Sequence, residues 1–168
     1  MKQNKKIISI IVLILSISGI WMLLTNGLSS QAPDISLNTI SGKDIALKSL
    51  QGKPSLITFW ATDCPGCIKE VPHLIELHNT FATEGLNIIA IAMHYDRPDN
   101  VIAMSKEKQL PYHIALDPLA KAAKAFGNVR LTPTSFLIAA DGSIVMQKIG
   151  EFDQTDMKQR ITQLLNKG

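Results

Sequence analysis

The sequence predicts an α/β domain, a mixed central β-sheet flanked by helices on both faces. Three observations carry that prediction. Apolar runs of strand length alternate with amphipathic stretches of helix length, the pattern of strands joined by crossover helices. The last two runs are separated by Asp141-Gly142, a hairpin signal, so part of the sheet is antiparallel. The only two cysteines, Cys64 and Cys67, stand where a strongly apolar strand gives way to a long helix. Hydrophobic residues make up 46% of the 168, enough for a packed core.

The chain begins with a basic stretch, Met1 to Lys6, followed by Ile7 to Leu24 without a charge. At 1.5 Å per residue that stretch spans about 27 Å, near the minimum for a membrane helix. It is long for a secretory apolar core, and only Gly27-Leu28-Ser29 offers a weak cleavage site. An uncleaved anchor is therefore favoured over a cleaved signal peptide. Either way the lysines stay inside and the rest of the chain leaves the cytoplasm, for a compartment where disulfides persist. Residues 1–30 read as anchor and linker, and residues 31–168 as the folded domain.

Within that domain Ala32 to Leu50 alternates apolar and polar residues around Ser41-Gly42-Lys43, a small hairpin laid before the main sheet. Gly52-Lys53-Pro54 breaks the chain, and Ser55 to Trp60 is the first core strand. From Pro65 to about Glu84 a helix carries Ile68, Val71, Leu74, Ile75, Leu77 and His78 near one side. Pro72 lies inside it and predicts a kink. Leu86 to Met93 is an unbroken apolar run of the kind buried on both faces. A helix over Pro98–Gln109, a short strand over His113–Leu116 and a helix over Ala120–Phe126 follow, the last closed by Gly127-Asn128. Strands over Ser135–Ala139 and Ile144–Ile149 and a helix over Gln154–Asn166 complete the chain.

The formal charge of +3 is owed to Lys2, Lys5 and Lys6; without them acids and bases are equal in number. No basic run interleaves with aromatics, which argues against nucleic-acid binding.

The dithiol is the chemical centre. A helix N-terminus carries about half a positive charge and unpaired N–H groups, so a thiolate there is stabilised and nucleophilic near neutral pH. Pro65 suits the first helical position. Cys64 reads as the attacking thiol, and Cys67, one turn further in, as the resolving thiol that releases a mixed disulfide. Two other readings are weaker. A structural disulfide closing so small a loop restricts the unfolded chain little. Half a zinc site needs a second ligand pair, and His73 and His78 are badly spaced to give one.

Phe59-Trp60-Ala61-Thr62-x-Cys64-x-x-Cys67-x-x-Glu70-x-Pro72, with Leu131-Thr132-Pro133-Thr134-x-Phe136-Leu137-Ile138 and Asp141-Gly142 downstream, resembles the thioredoxin superfamily. It looks closest to the membrane-anchored TlpA/ResA-like thiol–disulfide oxidoreductases, over roughly Ala32 to Leu165. The resemblance implies a thioredoxin-like fold with an N-terminal β-hairpin and a βα insertion in about His94 to Pro118. It implies that Pro133 is a cis-proline opposite the dithiol, leaving the Thr132 backbone free to pair with a substrate; the residues alone allow an ordinary trans proline equally well. Glu70 matches an acidic residue kept near the active site, where it tunes the thiols or relays a proton, although an exposed Glu early in a helix is also simply good helix chemistry. Trp60 packs beneath the motif and borders the substrate surface.

Two positions depart from the pattern. Thr58 stands where thioredoxin has a buried Asp six residues before its first Cys. Asp63 stands where most relatives have Trp; it either raises the Cys64 pKa and removes an apolar docking surface, or caps the helix. The implied activity is reduction of disulfides in exported proteins, of the cytochrome c maturation or copper-site assembly type. No dinucleotide or metal-cluster motif is present and the disulfide is the only redox group, so electrons must come from another protein; the resemblance implies a membrane thiol-reductase as that donor. Two rival readings are an oxidant that introduces disulfides and a Cu(I) chaperone using Cys64, Cys67 and Met93 or His94.

Overall fold

The computed structural model describes residues 31–167, so the expected anchor over residues 7–24 lies outside the described residues. Among those described, no helix is long and apolar enough to cross a membrane. The elements are β1 (Ser36–Thr39), β2 (Asp44–Ala46), a 3-10 turn (Leu47–Leu50), β3 (Ser55–Trp60), α1 (Pro65–Phe81), β4 (Asn87–Ala92), α2 (Pro98–Glu107), β5 (His113–Leu116), α3 (Lys121–Ala125), β6 (Thr134–Ile138), β7 (Ile144–Ile149) and α4 (Gln154–Leu165).

The seven strands form one sheet in the order β2-β1-β5-β4-β3-β6-β7. β3, β4 and β5 run parallel; the two flanking pairs on each side are antiparallel. The central strands are sided by simple alternation. Leu56 and Trp60 of β3, with Ile88, Ala90 and Ala92 of β4, join the core that holds Cys67, Leu74, Leu77 and Met157. Ile57 and Phe59, with Ile89 and Ile91, join a second core with Phe126 and Phe136 on the other face. Both faces are thus covered, which is why these strands read as unbroken apolar runs. Phe59, Phe126 and Phe136 meet edge-on or tilted, with centroids 4.9 to 6.0 Å apart.

The expected N-terminal hairpin is present, and β1 also pairs with β5 through Asn38↔Leu116 and Thr39↔Ala115, extending the main sheet. One detail of the hairpin needs correction. Its second arm stops at Ala46, and Leu47 to Leu50 coil into a 3-10 turn. The insertion between β4 and α3 consists of α2 and β5, the helix and short strand that the sequence places there. Pro72 lies inside α1 as the sequence places it, and the helix runs on to Phe81. The proline stands on the exposed side. The β6–β7 turn behaves as expected, with Asp141 Oδ1 accepting from Ser143 N at 2.9 Å and Gly142 at φ +86.

Candidate active site

β3 ends at Trp60, and four residues later the chain enters α1 with Pro65 in its first turn. Cys64 is the N-cap. Its Sγ accepts from Cys67 N at 3.2 Å, so sulfur fills the place an oxygen usually takes at a helix start. Asp63 is exposed and caps nothing; that expectation is overturned, because the residue next to it already holds the cap. The two cysteines form a disulfide, with Cα atoms 5.2 Å apart. Their exposures differ: Cys64 is half-buried, whereas Cys67 is only 3% exposed and belongs to the core.

The Thr132–Pro133 bond is cis, as the resemblance implies. Pro133 lies against the motif: a Cβ at Gly66 would fall 3.4 Å from Pro133 Cδ and 3.3 Å from Glu151 Oε1. Glycine there lets the proline loop close on the helix start. Pro133 C=O accepts from Gly150 N at 2.8 Å, tying that loop to the end of β7. Thr132 is half-buried, and among the described residues its own N–H and C=O make no backbone hydrogen bond.

Beneath the disulfide is a cavity of about 10 Å³ lined by Cys67, Glu70, Trp60, Thr58 and Tyr112 among others. Glu70, the sixth residue of α1, is not the exposed helical Glu that the sequence alone allows. It is 1% exposed, and Oε1 accepts from Phe152 N at 2.8 Å. Burial pushes its carboxyl up from 4.5 to about 7; the Phe152 N–H pulls the other way, and the nearby Glu151 carboxylate adds to the rise. Burial, and then Glu70, push the Tyr112 phenol well above its ordinary value. Thr58 is also buried and accepts from Ser135 Oγ at 3.0 Å. Trp60 is buried in the floor, with no hydrogen-bond partner for Nε1, and so offers almost no surface to a substrate.

Sequence reasoning missed the groups that complete the site. Phe152 supplies only a backbone N–H, which no side-chain pattern reveals. Tyr112 precedes β5 in a segment with no motif. Asp96 accepts from Thr62 N at 2.6 Å and from Thr62 Oγ1 at 2.7 Å, tying the loop after β4 to the turn before Cys64. The copper-site reading fares badly. Met93 is buried with the core on the sheet face opposite Cys67, and His94 is exposed. Among the described residues no three His, Cys, Asp or Glu side chains are grouped to hold a metal.

Comparison with known proteins agrees with this geometry. The chain is 31% identical over 176 residues to thiol-disulfide oxidoreductase ResA of Bacillus thuringiensis, spanning 98% of this chain and 99% of that one. It is 34% identical over 144 residues to protein DipZ of Mycobacterium bovis, spanning 80% of this chain and 21% of the other. Among solved structures, a thiol:disulfide interchange protein of the thioredoxin family from Chlorobium tepidum superposes with a TM-score of 0.74 at 28% identity. That match covers 82% of this chain and 97% of the other. Fold, dithiol and likeness together define a thiol–disulfide oxidoreductase of the thioredoxin superfamily, of the ResA-like kind. The chain belongs to the Redoxin family, which it matches over residues 28–165.

Proposed function

We propose that the protein is an extracytoplasmic, membrane-tethered reductant of disulfides in exported proteins, of the type that serves cytochrome c maturation or copper-site assembly. The observation that carries the reading is the pairing of a half-buried Cys64 at a helix N-terminus with a buried Cys67 above an acid of raised pKa. The residue assignments follow from accessibility and chemistry. In the reduced protein the Cys64 thiolate attacks one sulfur of a substrate disulfide, and the other sulfur leaves as a thiolate that takes up a proton. The Cys67 thiol then gives its proton to Glu70 and displaces the substrate sulfur from Cys64. The substrate departs as a dithiol, and the Cys64–Cys67 disulfide has lost two electrons to it.

Glu70 suits that step because an acid near pH 7 both accepts and returns a proton at neutral pH. Thr58 cannot do this from β3, so a carboxylate on α1, lining the same cavity, supplies the function that thioredoxin draws from the strand. Pro133 closes over the motif, and the free Thr132 backbone is the edge on which an extended substrate would pair. Asp63, exposed beside Cys64, faces the incoming protein, and Trp60 supports the motif from below. The uncharged stretch from Ile7 to Leu24 behind Lys2, Lys5 and Lys6 supports a tether with the domain outside the cytoplasm. Reducing equivalents would arrive from a membrane thiol-reductase.

The test is the reduction potential of the Cys64–Cys67 pair in the full-length protein, equilibrated in defined thiol–disulfide buffers. A value near ~ −270 mV or below is expected for a reductase. A value near ~ −120 mV would instead make the protein an oxidant, and the direction proposed above would be reversed.

A further inference from the structure

Among the loops at the end of the sheet that carries the dithiol lies a larger open groove, about 600 Å³, that the exchange chemistry does not use. Its walls are the loop after β4, the loop that leads into α3, and the segment running towards the cis-proline. Two features distinguish it. It displays apolar surface, with Tyr95 51% and Leu119 66% exposed, and Leu131 next to its Arg130 wall 62% exposed. Its charged lining is wholly basic: Lys124 and Arg130 are exposed, and no Asp or Glu lines it.

The two acids next in the chain to its lining residues Tyr95 and Pro118 are committed elsewhere. Asp96 is held by Thr62, and the buried Asp117 accepts from Ala122 N at 3.1 Å and Ala123 N at 2.9 Å at the start of α3. Among the described residues neither Lys124 nor Arg130 has a salt-bridge partner. With its amide oriented to satisfy both groups, the Asn128 oxygen accepts from Arg130 Nη2 at 3.1 Å and Nε at 3.3 Å. The rest of the guanidinium fork stays open to a carboxylate. In a chain whose acids and bases balance once the three N-terminal lysines are set aside, a groove with two unpaired cations and no acid is a local asymmetry.

The groove is also continuous with the proposed substrate edge. Arg130 and Leu131 lead directly into Thr132, and the loop carrying His94 and Tyr95 is joined to the motif by Met93 N donating to Trp60 C=O at 3.0 Å. An extended chain paired along Thr132 and running on past Leu131 would meet these cations within a few residues of its own cysteine.

We infer that this groove docks an extended, acidic segment of the substrate protein, its carboxylates on Lys124 and Arg130 and an apolar side chain between Tyr95 and Leu119. The inference rests on the reductase reading above and deepens it by naming the substrate's chemistry. Opposite charges at the rim of such a groove act chiefly on the rate of encounter, and salt weakens them.

The test uses two synthetic peptides with one internal disulfide each, identical except that two Glu residues beside the cysteine in one are Gln in the other. The reduced full-length protein is mixed with each, and the rate of peptide reduction is followed. At low ionic strength the acidic peptide is expected to react about tenfold faster. That ratio should fall to within about twofold of unity in the Lys124→Ala/Arg130→Ala variant, and likewise for the unchanged protein in about 0.5 M salt. Equal rates for the two peptides with the unchanged protein would overturn the inference and leave the reductase reading standing. So would a preference that survives in the double variant, because recognition would then lie elsewhere. Failure to reduce either peptide would overturn the reductase reading and this inference together.

Discussion

At the scale of single residues, Glu70 is where environment departs most from sequence. Its carboxyl titrates near 7 in the folded protein against 4.5 ordinarily, with burial the main cause. The raised value has a definite sign for stability. Between these two values the folded state holds a proton that the unfolded chain has released, so the contribution is complete below about pH 4.5 and is lost as the pH rises towards 7. The loss amounts to about 3 kcal/mol at most. Glu70→Gln stays neutral and still accepts from Phe152 N. It should be more stable than the unchanged protein at pH 8, by up to that amount, and nearly equal to it at pH 4. Urea midpoints at both pH values check this, and an unchanged difference between them would mean that Glu70 ionises normally.

At the scale of elements, the short helix α3 depends on one distant side chain. Its formal N-cap, Ala120, sits in the left-handed region at φ +52 and has no capping group. Asp117, buried in the loop before it, accepts from two N–H groups of its first turn instead. Its negative charge also meets the positive end of the helix. Asp117→Ala orphans both donors in a buried setting and should destabilise the fold by about 1–3 kcal/mol. It should also loosen one wall of the basic groove, so hydrogen exchange should rise at Ala122 and Ala123 before it does in β3 or β4. The longer α4 is seated differently. Met157 and Ile161 are wholly buried against the sheet, while Gln154 and Lys158 both engage Glu76 of α1 at the surface. Met157→Ala should cost about 2–5 kcal/mol through the cavity it leaves. The exposed polar contacts should contribute far less. Denaturant unfolding of Met157→Ala beside Lys158→Ala separates the two contributions.

At the scale of the whole molecule, the sheet presents its chemistry at one end. β3 and β4 run parallel, so the C-terminal end of β3 delivers the dithiol and that of β4 delivers the Met93–Asp96 loop to the same side. The start of β6, antiparallel to β3, delivers the cis-proline there as well. Two variants test the division of labour between the cysteines. Cys64→Ser should abolish dithiol exchange altogether, since the accessible sulfur is gone. Cys67→Ser should still attack but fail to release, leaving a mixed disulfide with substrate that is visible by non-reducing electrophoresis or mass. If instead the first variant keeps exchanging, or the second traps nothing, the assignment of attacking and resolving thiols is wrong.

What the sequence by itself determined is whatever depends on neighbours in the chain. Ser55–Trp60 was legible to the residue, because a serine and five apolar or β-branched residues lie between a Gly-Lys-Pro break and the dithiol turn. The same holds for His113–Leu116, for the Asp141-Gly142 turn and for the start of α1 at Pro65. The dithiol was legible too, because its spacing and flanks are themselves the signal; the cis bond at Pro133 was reached only through the family resemblance. Only the tertiary structure decided the rest. The N-terminal hairpin joined the main sheet because β5 arrived beside β1, a pairing between segments far apart in the chain. Glu70 became a buried acid because the fold packs it into the core and the connection between β7 and α4 brings the N–H of Phe152, 82 residues away, to its carboxylate. Local pattern sets where a strand or helix begins; desolvation and charge are set by whatever long-range packing places beside a group, and that governs the chemistry of this site.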